Sequence, residues 1–342
     1  MHRRVALLST LTLTVGSVLL PAGLAQAQAA PKPAQKAAAD STSEQRTVLR
    51  YWTPQKMEDA EPLDAPAPKG SAKLAPADIS KTDISKADTP KAGAPFTAAP
   101  TSPPPSSAAR LQAANSGGTP WTAGGAITRT TGRVFFTYQG RNSSCSGSAV
   151  TSANKSVVLT AGHCVKLGGA FHTNWVFVPG YNNGNRPLGT WAATKLLTTP
   201  QWNASEDINY DVAAAVVAPL EGKALTDAVG GQGVAFNQAR RQQMYAFGYP
   251  AAAPYDGSKL IYCSGRAFDD FLLSKDHGLT CNMTGGSSGG PWLVNFNEST
   301  GLGTQNSVNS FKYNFTPNWM FGPYFGSEAQ AVYQAAQSTN AL

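Results

Sequence analysis

Histidine and cysteine are scarce in this chain, with four of each in 342 residues, and only 14% of residues are charged. No Cys-x-x-Cys occurs. Zinc, the competing reading of the cysteines, therefore lacks its usual ligand spacing. No acidic loop is dense enough in ligands for calcium, and Asp269-Asp270 reads as a solvated pair. No metal and no cofactor is expected. The net charge of +7 divides into +4 over residues 1–117 (13 Lys/Arg against 9 Asp/Glu) and +3 over residues 118–342 (14 against 11). No basic cluster interleaves with aromatics, which argues against a nucleic-acid partner. Helical periodicity is also rare, so a helical bundle is a poor description of the chain.

Aromatic residues are nearly missing from the first third. Of 32, only Tyr51, Trp52 and Phe96 precede residue 118, and 14 of the 24 prolines lie in residues 1–117. The N-terminus itself has the marks of a secretory signal over residues 1–27. Arg3 and Arg4 precede an apolar stretch over residues 5–20, and Ala25-Gln26-Ala27 fits a small-x-small cleavage site. A membrane anchor is the alternative, but the apolar run is short. Export to the extracellular side without a stable membrane anchor is expected. Residues 28–117 read as a pro-segment or mostly disordered linker, because so few large apolar groups cannot offset ordering entropy. Residues 79–88 carry a loose Ser-Lys-x-Asp repeat. Residues 47–52 (Thr-Val-Leu-Arg-Tyr-Trp) form the one apolar cluster that could dock elsewhere.

Residues 118–342 hold the other 29 aromatics and all four cysteines, enough for one domain with a sizeable core. Strand-like runs recur at 132–138, 146–151, 156–160, 175–179, 190–197, 211–217, 243–247, 259–263, 290–295 and 304–311, separated by Gly, Asn and Pro. Short strands at this spacing predict an antiparallel sandwich or barrel. One helix is predicted at 326–337, with Ser327 as its N-cap. The cysteines suit an oxidising compartment. Cys145 and Cys164 flank one strand pair, and Cys263 and Cys281 another. Each disulfide would contribute on the order of 3 kcal/mol.

Three short strings carry the chemistry: Thr160-Ala161-Gly162-His163-Cys164, Asn209-Tyr210-Asp211-Val212 and Gly285-Gly286-Ser287-Ser288-Gly289-Gly290-Pro291. A serine hydroxyl is a poor nucleophile until a base takes its proton and a site holds the oxyanion. The glycines around Ser288 allow successive N–H groups to converge on one point. His163 ends an apolar strand through small residues that leave room for an imidazole. Asp211 begins a buried-looking strand, and Asp207 is the rival carboxylate, more simply a solvated loop residue. His172 and His277 read as loop or surface residues.

These strings resemble the trypsin/chymotrypsin-like serine peptidases of secreted bacterial type, closer to the glutamyl-endopeptidase-like (V8-like) branch than to trypsin. The resemblance implies two six-stranded antiparallel Greek-key β-barrels with a C-terminal helix, an all-β fold. It implies Ser288 as nucleophile, His163 as general base, Asp211 as the orienting carboxylate, and the backbone N–H groups of Gly286 and Ser288 as oxyanion donors. A disulfide beside the catalytic histidine is a common feature of that family. The activity implied is endopeptidase action on proteins and peptides, by a chain expected to act as a monomer. The alternatives are a binding or adhesion protein on a retained peptidase fold, and an esterase using the same triad. An α/β-hydrolase would order its triad Ser, Asp, His, the reverse of this chain.

Two departures stand out. Residue 287 is serine where the trypsin branch has the aspartate that pairs with a new N-terminal amine, and no Ile-Val-Gly-Gly start is present. The pro-segment is therefore the expected control and an inhibitor of its own domain, cut between Arg110 and Arg133. Specificity is assigned to Asn282 and Met283 before the nucleophile and to Val308 and Asn309 on the strand 306–310. Asn282 replaces the acid of Arg/Lys-selective enzymes. Glutamate-selective relatives use a histidine on the strand after the nucleophile, and no histidine follows His277. A neutral pocket cutting after medium-sized uncharged residues is the expectation.

Overall fold

The computed structural model describes residues 32–66, 68, 90, 92–102 and 115–341. The signal expected at 1–27 and the repeat at 79–88 lie outside the described residues.

The first lobe is a closed six-stranded antiparallel barrel. Its strands are Thr131–Tyr138, Arg141–Val150, Val157–Thr160, Thr173–Pro179, Trp191–Thr198 and Ala213–Val217. Closure comes from Trp191–Thr198, which pairs with Thr173–Pro179 on one side and Ala213–Val217 on the other. Ala213–Val217 is apolar at every position because both of its faces are covered. The barrel interior takes one face, and the C-terminal helix Ser327–Gln337 takes the other through Ala329, Val332, Tyr333 and Ala336. A strand buried on both sides reads as a continuous apolar run rather than an alternation. Gly326 is the N-cap of that helix and Ser327 its first residue, with no side-chain cap.

The second lobe carries a seven-stranded sheet in the order Phe96–Ala98, Gly233–Phe236, Leu302–Val308, Pro291–Asn297, Gln243–Gly248, Ile261–Arg266, Ser116–Pro120. A three-stranded sheet of Phe268–Asp269, His277–Thr280 and Trp319–Gly322 completes it. Its core holds Met244, Leu279, Met283, Trp292 and Met320 around the Cys263–Cys281 disulfide. The other disulfide, Cys145–Cys164, ties barrel strand Arg141–Val150 to the turn that follows Val157–Thr160.

Residues 32–66 are ordered, where low aromatic content had led to an expectation of disorder. Ala34–Ala37 extends the barrel by pairing with Trp191–Thr198. Helix Thr42–Tyr51 starts at a capping box of Ser41 and Glu44, and helix Pro54–Glu58 starts at Thr53. Trp52 anchors both: it is 2% exposed, lies 5.6 Å from Phe135, and donates its indole N–H to the Asn174 carbonyl at 2.6 Å. The residues supply little apolar surface of their own and are held by strand pairing and by two buried anchors, Trp52 and Met57, on the barrel. Asp269 and Asp270 are likewise not a solvated pair. Asp269 pairs with Arg240 and Arg241, and buried Asp270 accepts from the Tyr313 hydroxyl.

Candidate active site

His163 lies in the single 3₁₀ turn Gly162–Cys164 at the end of an apolar barrel strand. Position 162 must be glycine, because a Cβ there would sit 2.8 Å from Trp202 and 2.9 Å from Asp211 Oδ1. That close approach lets one carboxylate grip the histidine twice. Asp211 Oδ1 accepts from the His163 backbone N–H at 2.7 Å, and Oδ2 meets His163 Nδ1 at 2.8 Å. A third bond comes from the Ser310 hydroxyl to Oδ2, at 2.5 Å. Asp211 and His163 are both fully buried. A carboxylate facing Nδ1 keeps the proton on that nitrogen and leaves Nε2 as the basic atom. Nε2 is buried without a hydrogen-bond partner among the described residues. Asp207 is elsewhere: it caps the next 3₁₀ turn by accepting from the N–H and side chain of Asn209.

His172, expected at the surface, instead buttresses the turn. It stacks on Phe136 at 4.3 Å and donates Nε2–H to the His163 carbonyl at 2.8 Å. Burial pulls its pKa down to about 4, so the ring is neutral and able to donate at neutral pH. His277 is also buried rather than surface-exposed, inside strand His277–Thr280, and burial lowers its pKa to about 3. The nearby aromatics Phe136 and Tyr138, both in contact with His172, are not adjacent to it in sequence, so no local signal marked its burial.

Ser288 belongs to the other lobe, and its backbone is bonded to barrel strand Arg141–Val150. Its carbonyl accepts from the Ser146 N–H at 2.7 Å, and the Ser146 hydroxyl spans the lobes by donating to Gly286 O and accepting from Tyr249 N–H. Gly286 has φ 90°, a left-handed conformation that disfavours any side chain. Among the described residues, neither the Gly286 N–H nor the Ser288 N–H has an acceptor. Both are free to donate to an oxyanion. Ser287 turns away: its N–H and hydroxyl both meet the Thr284 carbonyl, at 3.2 and 2.7 Å.

A cavity of about 700 Å³ opens beside Ser288, bounded by Gly285 and Ser287 on one side and Ser310–Tyr313 on the other. Of the four predicted specificity residues, Asn282 lines it. Met283 and Val308 are instead buried in the two cores. Asn309 is structural too, its amide donating to Phe247 O and Ser287 O and its oxygen accepting from Trp292. Two charged residues that sequence reading missed line the cavity: Lys312, just beyond the strand inspected for specificity, and Asp64, from the segment expected to be disordered.

The fold and this arrangement can be compared with solved structures. The chain is 46% identical to the protease Anisep from Arthrobacter nicotinovorans, covering 96% of that protein and 62% of itself at a TM-score of 0.58. It is 45% identical to the thermostable serine protease AL20 from an extremophilic microorganism, covering 100% of that protein and 63% of itself at a TM-score of 0.60. No protein-family model matches the chain, and no curated protein does.

Proposed function

The chain belongs to the chymotrypsin-type serine proteases, and on that premise we propose that it is a secreted endopeptidase working through an acyl-enzyme on Ser288. The observation that carries the proposal is the double grip of Asp211 on His163, which fixes the tautomer and leaves Nε2 without a hydrogen-bond partner among the described residues. In the first half-reaction, Nε2 removes the Ser288 hydroxyl proton as Oγ attacks the substrate carbonyl. The oxyanion takes the N–H groups of Gly286 and Ser288. Imidazolium then protonates the leaving amine as the C–N bond breaks. Water, deprotonated by the same Nε2, attacks the ester and frees Ser288.

Secretion is supported by the signal-like N-terminus and the two disulfides. Control by the N-terminal segment, rather than by a new amine at residue 287, is supported by the local pairing of Ser287 with Thr284. A precursor whose segment is removed to give the mature enzyme follows. Casein hydrolysis by the mature protein, lost by at least about 10³-fold in Ser288→Ala, tests the reading. Undiminished hydrolysis by that variant would refute it, and a protein that cleaves esters but no polypeptide would replace peptidase by esterase.

A further inference from the structure

The cavity beside Ser288 contains one cation and one anion from the described chain, and they come from different places. Lys312 belongs to the peptidase lobe, two residues beyond Ser310, which bonds Asp211. Its ammonium donates to the Pro317 carbonyl, and no carboxylate among the described residues lies within ion-pair distance of it. An ammonium has three donors. One is committed here, so the others remain for a guest. Burial pulls the Lys312 amine down to about 8, with Asp64 acting in the opposite direction.

Asp64 enters from outside the two lobes. Glu61–Pro62 pairs in parallel with Ser143 and Ser144 of the barrel, and the Leu63 N–H donates to the Ser144 carbonyl at 3.0 Å. This pairing delivers the next side chain onto the Ser288 loop. A Cβ on Gly285 would lie 2.5 Å from Asp64 Oδ1, so the carboxylate fills the space that a side chain at 285 would need. Burial raises the Asp64 carboxyl, and the two positive influences on it are His163 and Lys312. The carboxylate thus lines the same cavity as the lysine and lies against Gly285 of the Ser288 loop.

We propose that Lys312 makes the pocket beside Ser288 selective for a carboxylate side chain on the acyl side of the cut, and that residues 61–66 obstruct that cavity, with Asp64 lining it against Gly285. The proposal rests on the peptidase reading and deepens it. It replaces the neutral pocket expected from the sequence. It also does so without the histidine of glutamate-selective relatives, using an ammonium from the far wall. Residues 61–66 therefore stand in the cavity a substrate must enter, and an acidic substrate meets the cation only after the segment leaves.

The test uses the mature enzyme, with active concentration set by fluorophosphonate titration of Ser288, and fluorogenic tetrapeptides differing only in the residue before the cut. The kcat/KM ratio of Glu or Asp to the isosteric amide is expected to be about tenfold or more, the scale of a charge-assisted hydrogen bond. Lys312→Met should bring that ratio to about one, Lys312→Arg should keep it, and Lys312→Glu should move preference toward Lys peptides. In the full precursor, Asp64→Arg, too large for the space the carboxylate fills beside Gly285, should raise the rate of Ser288 labelling by about tenfold. A wild-type ratio near one, or a ratio unchanged in Lys312→Met, overturns the assignment of Lys312 while titratable Ser288 leaves the peptidase reading standing. Labelling of the precursor that ignores Asp64→Arg overturns the obstruction by residues 61–66. If neither turnover nor titration is found, the peptidase reading fails and the proposal fails with it.

Discussion

Replacing Trp52 by alanine should release the N-terminal segment from the barrel. Trp52 is 2% exposed and packs in a cluster with Ile127, Phe135, Val176 and Val178. Its indole N–H also donates to the Asn174 carbonyl. Removing a buried Trp side chain costs about 3–5 kcal/mol, and the lost hydrogen bond adds about 1 kcal/mol. The lower figure alone raises the population of the undocked segment by about 150-fold, and 5 kcal/mol raises it by nearly 5,000-fold. Hydrogen exchange of the full precursor, followed by mass spectrometry, reads that change directly. Amides of helix Thr42–Tyr51 should exchange faster by two to three orders of magnitude. Those of barrel strand Val157–Thr160, remote from Trp52 in the core around Cys145 and Cys164, should change far less. Helix exchange accelerated by less than about fivefold would refute the view that Trp52 anchors the segment.

Asp211→Asn should lower kcat by about 10⁴-fold, because an amide cannot hold His163 in the tautomer that leaves Nε2 basic; steady-state kinetics with a loss under tenfold would contradict this. His172 has a folded pKa lowered to about 4 against the ordinary 6.5, so the unfolded chain binds the extra proton between those values and stability is lost as pH falls through that window. Urea unfolding of wild type and His172→Gln from pH 6.5 to 4 should therefore differ in slope by about one proton, or 1.4 kcal/mol per pH unit. Asp276, raised by burial, acts in the opposite sense but is common to both proteins and cancels in the difference. N-terminal sequencing of the mature protein should place the start between Arg110 and Ser116, since Ser116–Pro120 pairs with Ile261–Arg266 and Arg133 is buried inside a barrel strand. A start beyond Pro120 would contradict that placement.

The barrel strands were legible because a strand covered on both faces writes itself as an unbroken apolar run, as at residues 157–159 and 213–217. The strand Ser116–Pro120, made of Ser-Gly-Gly-Thr-Pro, carries no such pattern, and long-range pairing alone makes it a strand. The His163–Asp211 pair was legible because its tight approach needs a particular local backbone, and Gly162 betrays that backbone in sequence. The pocket was not. Lys312 reaches the cavity from the segment beyond the strand, and Met283 and Val308 turn into the cores, a choice made by packing rather than by local pattern. The N-terminal segment was misjudged for a different reason. Average composition hid two local signals, the Ser41/Glu44 capping box and the Thr53-Pro54 helix start, and the buried Trp52 and Met57 outweighed the lack of other large apolar residues.

The most direct measurement is the site of covalent capture. Mature protein treated with a fluorophosphonate, digested and sequenced by mass spectrometry should carry one adduct, on Ser288, and the Ser288→Ala protein should carry none. An adduct on any other residue, or labelling that persists in Ser288→Ala, would contradict the assignment of His163, Asp211 and Ser288 as one catalytic unit.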